Sequence, residues 1–581
     1  MKTKLRMPRL LLGLLPLSIV SMPLEAESAK PANGRLASVV AACLNVMLYL
    51  VLPVSIIGTA NAAPELVSVE QGQIRGVLDG NIVTFKGIRY AAPPVGALRW
   101  RLPEPAAAWA KPLEAKTYGN ECAQTEWYPP FKSTTDANAE DCLYLNVFMP
   151  AATKGKLPVM VWFHGGANNS GASQEFDGSQ LASQGVIIVT VNYRLGAFGF
   201  MAMPALDEES PHHVSGNYGI ADQQAALRWV KQNIGAFGGD AQNVTIFGQS
   251  AGSRDVCVQM LSPMASGLFQ KAIAQSGPCS SAWRTLSEVE SQAGSEPPAW
   301  KRVVDKLGCG NGPNPLECLR AKPPADVLLA LGGNVSAILG TWEVIVDGYL
   351  LPDEPAALVP SGQFNKVPLI TGSTHDEWDI LISFLLAHYP DWSLEMAGKA
   401  QMKGLGAYSK LSYSSVSGAA DAEYKDDTMD QARRSSRYVN DRRACTQLQA
   451  TVDWSKHTTV FGYEFSGTPL RQSIFAEGST NQNKYTEHAY HTAELPFLWG
   501  YWYPVIGTPQ KVEFTAPQKK LSEAMVGYWI SFAKSGQPAG KLSWPAYAAD
   551  NRLMSFNSVH TQLETRDAFR ADHHCDFWEN Q

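Results

Sequence analysis

Val244-Thr245-Ile246-Phe247-Gly248-Gln249-Ser250-Ala251-Gly252 joins an apolar run to a G-x-S-x-G turn. The run from Val244 to Phe247 suits a strand buried on both faces. Asp255–Leu261, beyond the turn, suits a helix. A serine on so sharp a strand-to-helix turn is lifted clear of the sheet's C-terminal edge. Glycines flank it because side chains there would clash. The following helix also aims its N-terminal dipole at negative charge developing near the hydroxyl. The pentapeptide alone arises often by chance, and an ordinary turn serine is then the plainer reading. The strand in front makes Ser250 a candidate nucleophile.

Working outward, Leu157–Phe163 and Val186–Tyr193 are further continuous apolar runs. Between the second and the Ser250 strand, residues 219–233 place Ile220, Ala225, Leu227, Trp229 and Val230 on a loose helical stripe. Strand, helix, strand is the pattern of a mostly parallel sheet with crossover helices. Ala272–Gln275, Val367–Thr371 and Val460–Phe465 extend the set of strands. Residues 65–90 alternate apolar and polar, which predicts short antiparallel strands. The stretches 283–345 and 380–440 are expected as helical insertions, and Leu521–Lys534 as a late helix. His164-Gly165-Gly166-Ala167 closes the strand Val159–Phe163. Small residues there let backbone N–H groups face an oxygen that gains charge during acyl transfer. A plain tight turn is the bland alternative.

The chain has 581 residues, 48 basic and 54 acidic side chains and a net charge of −6. That balance argues against nucleic acid as a partner, which wants a basic surface. Its hydrophobic share of 45% excludes wholesale disorder. Lys2, Lys4, Arg6 and Arg9 precede the apolar run Leu10–Val20, and a second run, Leu36–Ile57, ends in Ala60-Asn61-Ala62. Basic residues, an apolar core and a small-x-small end form an export signal. The expected organisation is a targeting segment over 1–62, with its start set too far upstream, and one catalytic domain over 63–581. An uncleaved anchor at 36–57 is the competing reading. No later run is long and apolar enough to span, so no membrane contact is expected once the signal is removed. The protein is then secreted or periplasmic.

Of nine cysteines, Cys43 lies in the signal region and an even set remains. Disulfides suit an exported chain. Short loops favour Cys122 with Cys142 and Cys309 with Cys318. No C-x2-C pair and no H-E-x-x-H occurs, so no metal site is expected.

Further blocks carry a specific resemblance. They are Phe85-Lys86-Gly87-Ile88-Arg89-Tyr90-Ala91-Ala92-Pro93-Pro94-Val95-Gly96, Glu140-Asp141-Cys142-Leu143-Tyr144-Leu145-Asn146-Val147, Asn192-Tyr193-Arg194, the Ser250 segment and Trp544-Pro545-Ala546-Tyr547. Together they make the chain resemble a type-B carboxylesterase of the cholinesterase-like branch of the α/β-hydrolase superfamily, over almost its whole mature length. The resemblance implies an α/β-hydrolase fold with a mostly parallel central sheet, flanking helices and large helical insertions. It implies a Ser–Glu–His triad acting on a small-molecule ester through an acyl-enzyme, with no cofactor. Residue by residue, the acid falls at Glu377 in Gly372-Ser373-Thr374-His375-Asp376-Glu377. The base falls at His491 in His491-Thr492-Ala493-Glu494-Leu495. Asp376 and Asp379 are rival acids, and His375, His457 and His488 are decoy histidines. Gly166, Ala167 and Ala251 would supply oxyanion N–H groups, with Gly165 shaping the loop. Arg194 with Asp222, and Arg99 with Glu140, match expected buried ion pairs. Cys257 with Cys279 and Cys445 with Cys575 are further disulfide candidates.

The chain also departs from the pattern. Gln249 stands where glutamate usually precedes the serine, and Ala167 replaces the oxyanion loop's third glycine. Asn168 and Asn169 follow where an aromatic is common, which suggests a more polar pocket wall. Trp378 replaces a glycine after Glu377. Trp127 is no convincing counterpart of the tryptophan that cradles choline, so quaternary ammonium specificity is not expected. A non-catalytic adhesion protein on the same fold is the alternative of another class. The presence of all three triad residues argues against it, because fold alone does not decide function. An amide or carbamate hydrolase would use the same residues.

Overall fold

Apolar strands without alternating polar positions need cover on both faces, and the central sheet provides it. Eleven strands order from one edge as Thr561–Thr565, Arg552–Phe556, Val460–Phe465, Leu369–Thr374, Lys271–Gln275, Gly239–Gln249, Leu157–Phe163, Ile187–Val191, Tyr144–Pro150, Ile82–Arg89 and Val77–Asp79. Those from Arg552–Phe556 to Ile187–Val191 run parallel, and the flanking ones run antiparallel. Every residue of Ile187–Val191, Lys271–Gln275 and Val460–Phe465 is buried. This is an α/β-hydrolase fold. The computed structural model describes residues 61–62, 65–124, 138–279, 283–291, 297–331, 341–389, 391–400, 419–420, 422–424, 431–470, 488–502 and 510–580. The apolar runs 10–20 and 36–57, Ala63 and Trp127 lie outside them.

The boundaries differ from the sequence reading for physical reasons. The Ser250 strand starts at Gly239, five residues before Val244, and its register against Leu157–Phe163 shifts between Gly239 and Val244. The polar Asp240, Gln242 and Asn243 disguised that start. The strand expected at Val367 begins at Leu369, because Pro368 has no N–H for the ladder. The helix after Ser250 spans Ala251–Leu261 and begins at once, although Gly252 is a poor helix former. The late helix is Ala516–Ser535, set by a Thr515–Gln518 capping box and closed by left-handed Gly536. Helices Leu286–Glu290, Ala299–Lys306, Pro315–Arg320 and Pro324–Leu329 occupy the described parts of 283–345. Asp379–His388 and Gln431–Ser455 occupy those of 380–440, the second running beyond it. Asn61–Ala62 pairs antiparallel with Ala152–Thr153.

Disulfides join Cys122 to Cys142, Cys257 to Cys279, Cys309 to Cys318 and Cys445 to Cys575. Arg99 forks onto Glu140 and also donates to the carbonyls of Leu319 and Lys322. Arg194 donates from Nε and Nη2 to the two carboxylate oxygens of Asp222, each at 2.7 Å, with both residues buried. Such a pair is weak evidence of net stability, but removing one partner strands a buried charge. Asp222→Ala should therefore lower unfolding free energy by about 3–5 kcal/mol. Urea denaturation reads this, and a loss under about 1 kcal/mol would contradict it.

Candidate active site

The turn after Gln249 is built by close approach of backbone. Ser250 has φ +60° and ψ −121°, a left-handed conformation that a residue with a side chain adopts only under constraint. A Cβ on Gly252 would stand 2.1 Å from the carbonyl oxygen of Phe163. One on Gly248 would stand 2.4 Å from that of Gly252. Both flanking positions must therefore be glycine. The Ser250 N–H donates to the Gln275 carbonyl on the neighbouring strand at 2.9 Å, which holds the turn to the sheet.

The His164–Ala167 loop lies against this turn. A Cβ on Gly165 would be 3.1 Å from the Cβ of Ser250. Gly166, Ala167 and Asn168 all have positive φ, +108°, +53° and +57°. The Gly166 carbonyl accepts from the N–H groups of Asn169 and Ser170, and that of Asn168 accepts from Gly196. Among the described residues, no backbone carbonyl takes the N–H of Gly166 or Ala167. Asn168 and Asn169 are buried braces rather than a polar pocket wall. Asn168 donates to Asp255 at 3.2 Å and Asn169 to the Ala167 carbonyl at 2.6 Å. Burial pushes the Asp255 carboxyl up to about 7 against the pull of Gln223 and Asn168, and pulls His164 down to about 4.

Glu377 follows the strand Leu369–Thr374 and is buried. Its Oε2 meets His491 Nδ1 in a short hydrogen bond, and its Oε1 accepts from the Thr374 N–H at 2.9 Å. The His491 N–H donates in turn to the Glu377 carbonyl at 3.2 Å. Burial alone would raise this carboxyl. His491, then Arg443 at 3.9 Å and Ser276, outweigh it and hold Glu377 below the usual carboxylate range. A carboxylate can only accept, so Nδ1 of His491 carries a proton. Its Nε2 meets the side-chain amide of Gln249 at 3.2 Å. The described hydrogen bonds join His491 to Glu377 and Gln249, and none joins it to the Ser250 hydroxyl. Bonds of that kind often form only once substrate is bound.

The rival residues are engaged elsewhere. Asp379 accepts from Ser436, Asn440 and His488. Asp376 accepts from the Ala489 N–H and pairs with His375. His457 meets the Pro360 carbonyl. Among the described residues, His375 with Glu464 and His573, and Asp376 with Asp379 and His488, group closely enough to hold a metal ion, their ligand atoms lying within 4.8 Å. Within the groups His573 is hydrogen-bonded to Glu464 and His488 to Asp379, while His375 pairs with Asp376 across them.

Sequence reading missed the supports of Glu377 and His491. Glu494, three residues after His491, is fully buried, accepts from Gln275, and is lifted to about 8 by burial and by the charge of Glu377. Its place in the His491 segment was a usable signal. Arg443 sits in the middle of a long helix rich in arginine, and nothing local marked it. Gln249 was legible both as a departure and as a neighbour of the histidine, and it lies at 3.2 Å from His491 Nε2.

A profile of the carboxylesterase family matches residues 63–578. Para-nitrobenzyl esterase of Bacillus subtilis (strain 168) is 35% identical over 503 residues, 84% of this chain and 94% of that protein. Acetylcholinesterase of Bungarus fasciatus is 31% identical over 577 residues, covering 91% and 89% respectively. A solved structure of PNB esterase superposes with a TM-score of 0.67 at 31% identity, covering 87% of this chain and 99% of that one.

The steric reading of the turn is testable. Gly252→Ala should abolish soluble, active protein, because the backbone carbonyl of Phe163 would have to move. Recovery of wild-type expression and ester turnover would show that the contact is not limiting.

Proposed function

The chain belongs to the carboxylesterase family, and on that premise we propose that it is an exported serine ester hydrolase in which Ser250, His491 and Glu377 form the catalytic triad. Membership makes it a carboxylesterase-type enzyme acting on small-molecule esters. The observation that supports the triad is the Glu377–His491 pair beside the Ser250 turn, with Gln249 touching His491 Nε2.

The geometry supports the following course. An ester carbonyl enters between Ser250 and the Gly165–Ala167 loop. Ser250 attacks while His491 Nε2, freed from the Gln249 amide, takes the hydroxyl proton. Glu377 keeps the Nδ1 proton in place and stabilises the imidazolium that forms. The carbonyl oxygen becomes an oxyanion that the N–H groups of Gly166, Ala167 and Ala251 receive, and the helix Ala251–Leu261 adds its dipole. His491 returns its proton to the departing alcohol. A water deprotonated by the same imidazole then cleaves the acyl-enzyme and restores Ser250.

Four disulfides suit an oxidising compartment, which supports secretion or a periplasmic location. Among the described residues no helix is long and apolar enough to cross a membrane.

Ser250→Ala and His491→Ala should each lower kcat for a p-nitrophenyl ester by about 10⁴–10⁶-fold while circular dichroism stays unchanged. Glu377→Gln should cost somewhat less, and a larger loss in Asp376→Asn would move the acid by one residue. N-terminal sequencing of the exported protein should begin near Ala63. A chain that retains 36–57 would make that run an anchor.

A further inference from the structure

Behind the Glu377 loop, two histidines lie with every ring nitrogen facing a carboxylate. His375 Nδ1 is 3.1 Å from Asp376, and its Nε2 is 3.1 Å from Asp572. His573 Nδ1 is 3.0 Å from Asp441, and its Nε2 is 2.7 Å from Glu464. The two rings are 4.8 Å apart, and His573, Asp441 and Glu464 are buried. A neutral imidazole has one donor and one lone pair, so against two carboxylates one contact would be repulsive. The arrangement is bonded throughout only when each ring carries both protons.

The elements joined are distant in the chain. Asp376 lies in the acid loop, Asp441 on the helix Gln431–Ser455, Glu464 on the strand Val460–Phe465, and Asp572 at the end of the helix Arg566–Asp572. Other groups face the cluster from each side. Arg437 bonds to Asp441 and Asp572, and Tyr424 donates to Asp441. Glu564, on the last strand, is lifted to about 7, by burial first and then by Glu464 and Asp572. His488 lies near Asp376 on the side of the His491 segment. His375 is two residues before Glu377, and the Asp376 backbone and side chain both bond to Ala489, two residues before His491. The cluster therefore braces acid and base together.

We propose that His375 and His573 act as a paired imidazolium clamp, positioning residues that hold the Glu377–His491 geometry and make turnover depend on the C-terminal segment. The proposal rests on Glu377 and His491 being the catalytic acid and base. Neither clamp residue touches the ester. The cysteine bond from Cys445 to Cys575 ties the same segment to the same helix and keeps His573 in reach.

Burial disfavours charge on both rings, but the carboxylates outweigh it. Glu464 and Asp441 lift His573 to about 9, while Asp376 and Glu464 lift His375 well above the usual imidazole value. Asp376 and Asp572 are both held below the ordinary carboxylate range, Asp376 against the pull of its own burial, so the protons reside on the rings. For groups raised in the folded state, stabilisation is full below the ordinary histidine value near 6.5 and is lost as pH rises through about 9. The clamp is thus closed at neutral pH and opens on the alkaline side.

The test is the pH profile of the full chain, with spontaneous ester hydrolysis subtracted. In wild-type enzyme kcat should fall reversibly with a midpoint near 9, with KM little changed and thermal stability falling over the same interval. His573→Gln keeps one donor and cannot titrate, so kcat at pH 7 should drop by up to about 100-fold, and the alkaline limb should vanish. Asp572→Asn, at the exposed edge, should shift that limb to lower pH without unfolding the protein, and keeps the question answerable if His573→Gln does not fold. A wild-type profile flat to pH 10, a folded His573→Gln enzyme with wild-type kcat, or a stoichiometric metal ion in purified protein would each overturn the clamp. Ser250→Ala, run alongside, separates the two readings. If it stays active the triad reading fails, and if it is inactive while the profile is flat only the clamp fails.

Discussion

The fold of the site depends on one steric constraint, the contact between the Ser250 turn and the end of the neighbouring strand. Gly252 sits against the carbonyls of Phe163 and His164, and Gly248 against Gly252. Nothing larger than hydrogen fits, so the chain must turn there with Ser250 in a left-handed conformation. That strain, of order 1–3 kcal/mol, persists because parallel strands on both sides fix the ends of the turn. The same contact brings Gly165 beside Ser250. Ser250 and the Gly165–Ala167 loop are thus positioned by one packing event, and a looser turn would misplace both.

Glu377 and His491 are positioned differently, by polar contacts between segments distant in sequence. The strand before Glu377 carries Gly372, where a Cβ would stand 2.2 Å from the Tyr463 carbonyl, so two strands approach closely just before the Glu377 loop. His491 is then bound to Glu377 through both side chain and backbone. Such an arrangement is stiff only if its outer groups are also held. Thr374 and Arg443 hold Glu377, while Asp376 and Ala489 join the two loops beneath it.

Legibility from sequence followed the range of the interaction. Strands buried on both faces, such as Val460–Phe465, announce themselves because each residue meets the same apolar surroundings. The turn at Ser250 was legible because its constraint is local and only glycine satisfies it. Tyr144–Pro150, an antiparallel strand third from one edge of the sheet, was recognised only as a family block, since Asn146 interrupts its apolar pattern while donating to Ser173 and Thr190 in the interior. Asn168 and Asn169 misled for the related reason that a buried amide looks like an exposed one in sequence. Arg443 and His573 were not legible at all, because their partners come from other parts of the chain and no spacing encodes them.

Burial also sorts the carboxyls around His491 into distinct roles. Glu377 and Glu494 are both fully buried and feel one another's charge, and two like charges so placed cannot both persist in a poorly solvated interior. Glu377 faces His491, Arg443 and the Thr374 N–H, so the ionised form settles there. Glu494 has the amide of Gln275 on one oxygen and no partner on the other, and is lifted to about 8. The negative charge is therefore confined to the carboxyl that touches the imidazole. Environment, rather than residue type, sets which of the two glutamates is ionised, and the sequence alone could not rank them by charge.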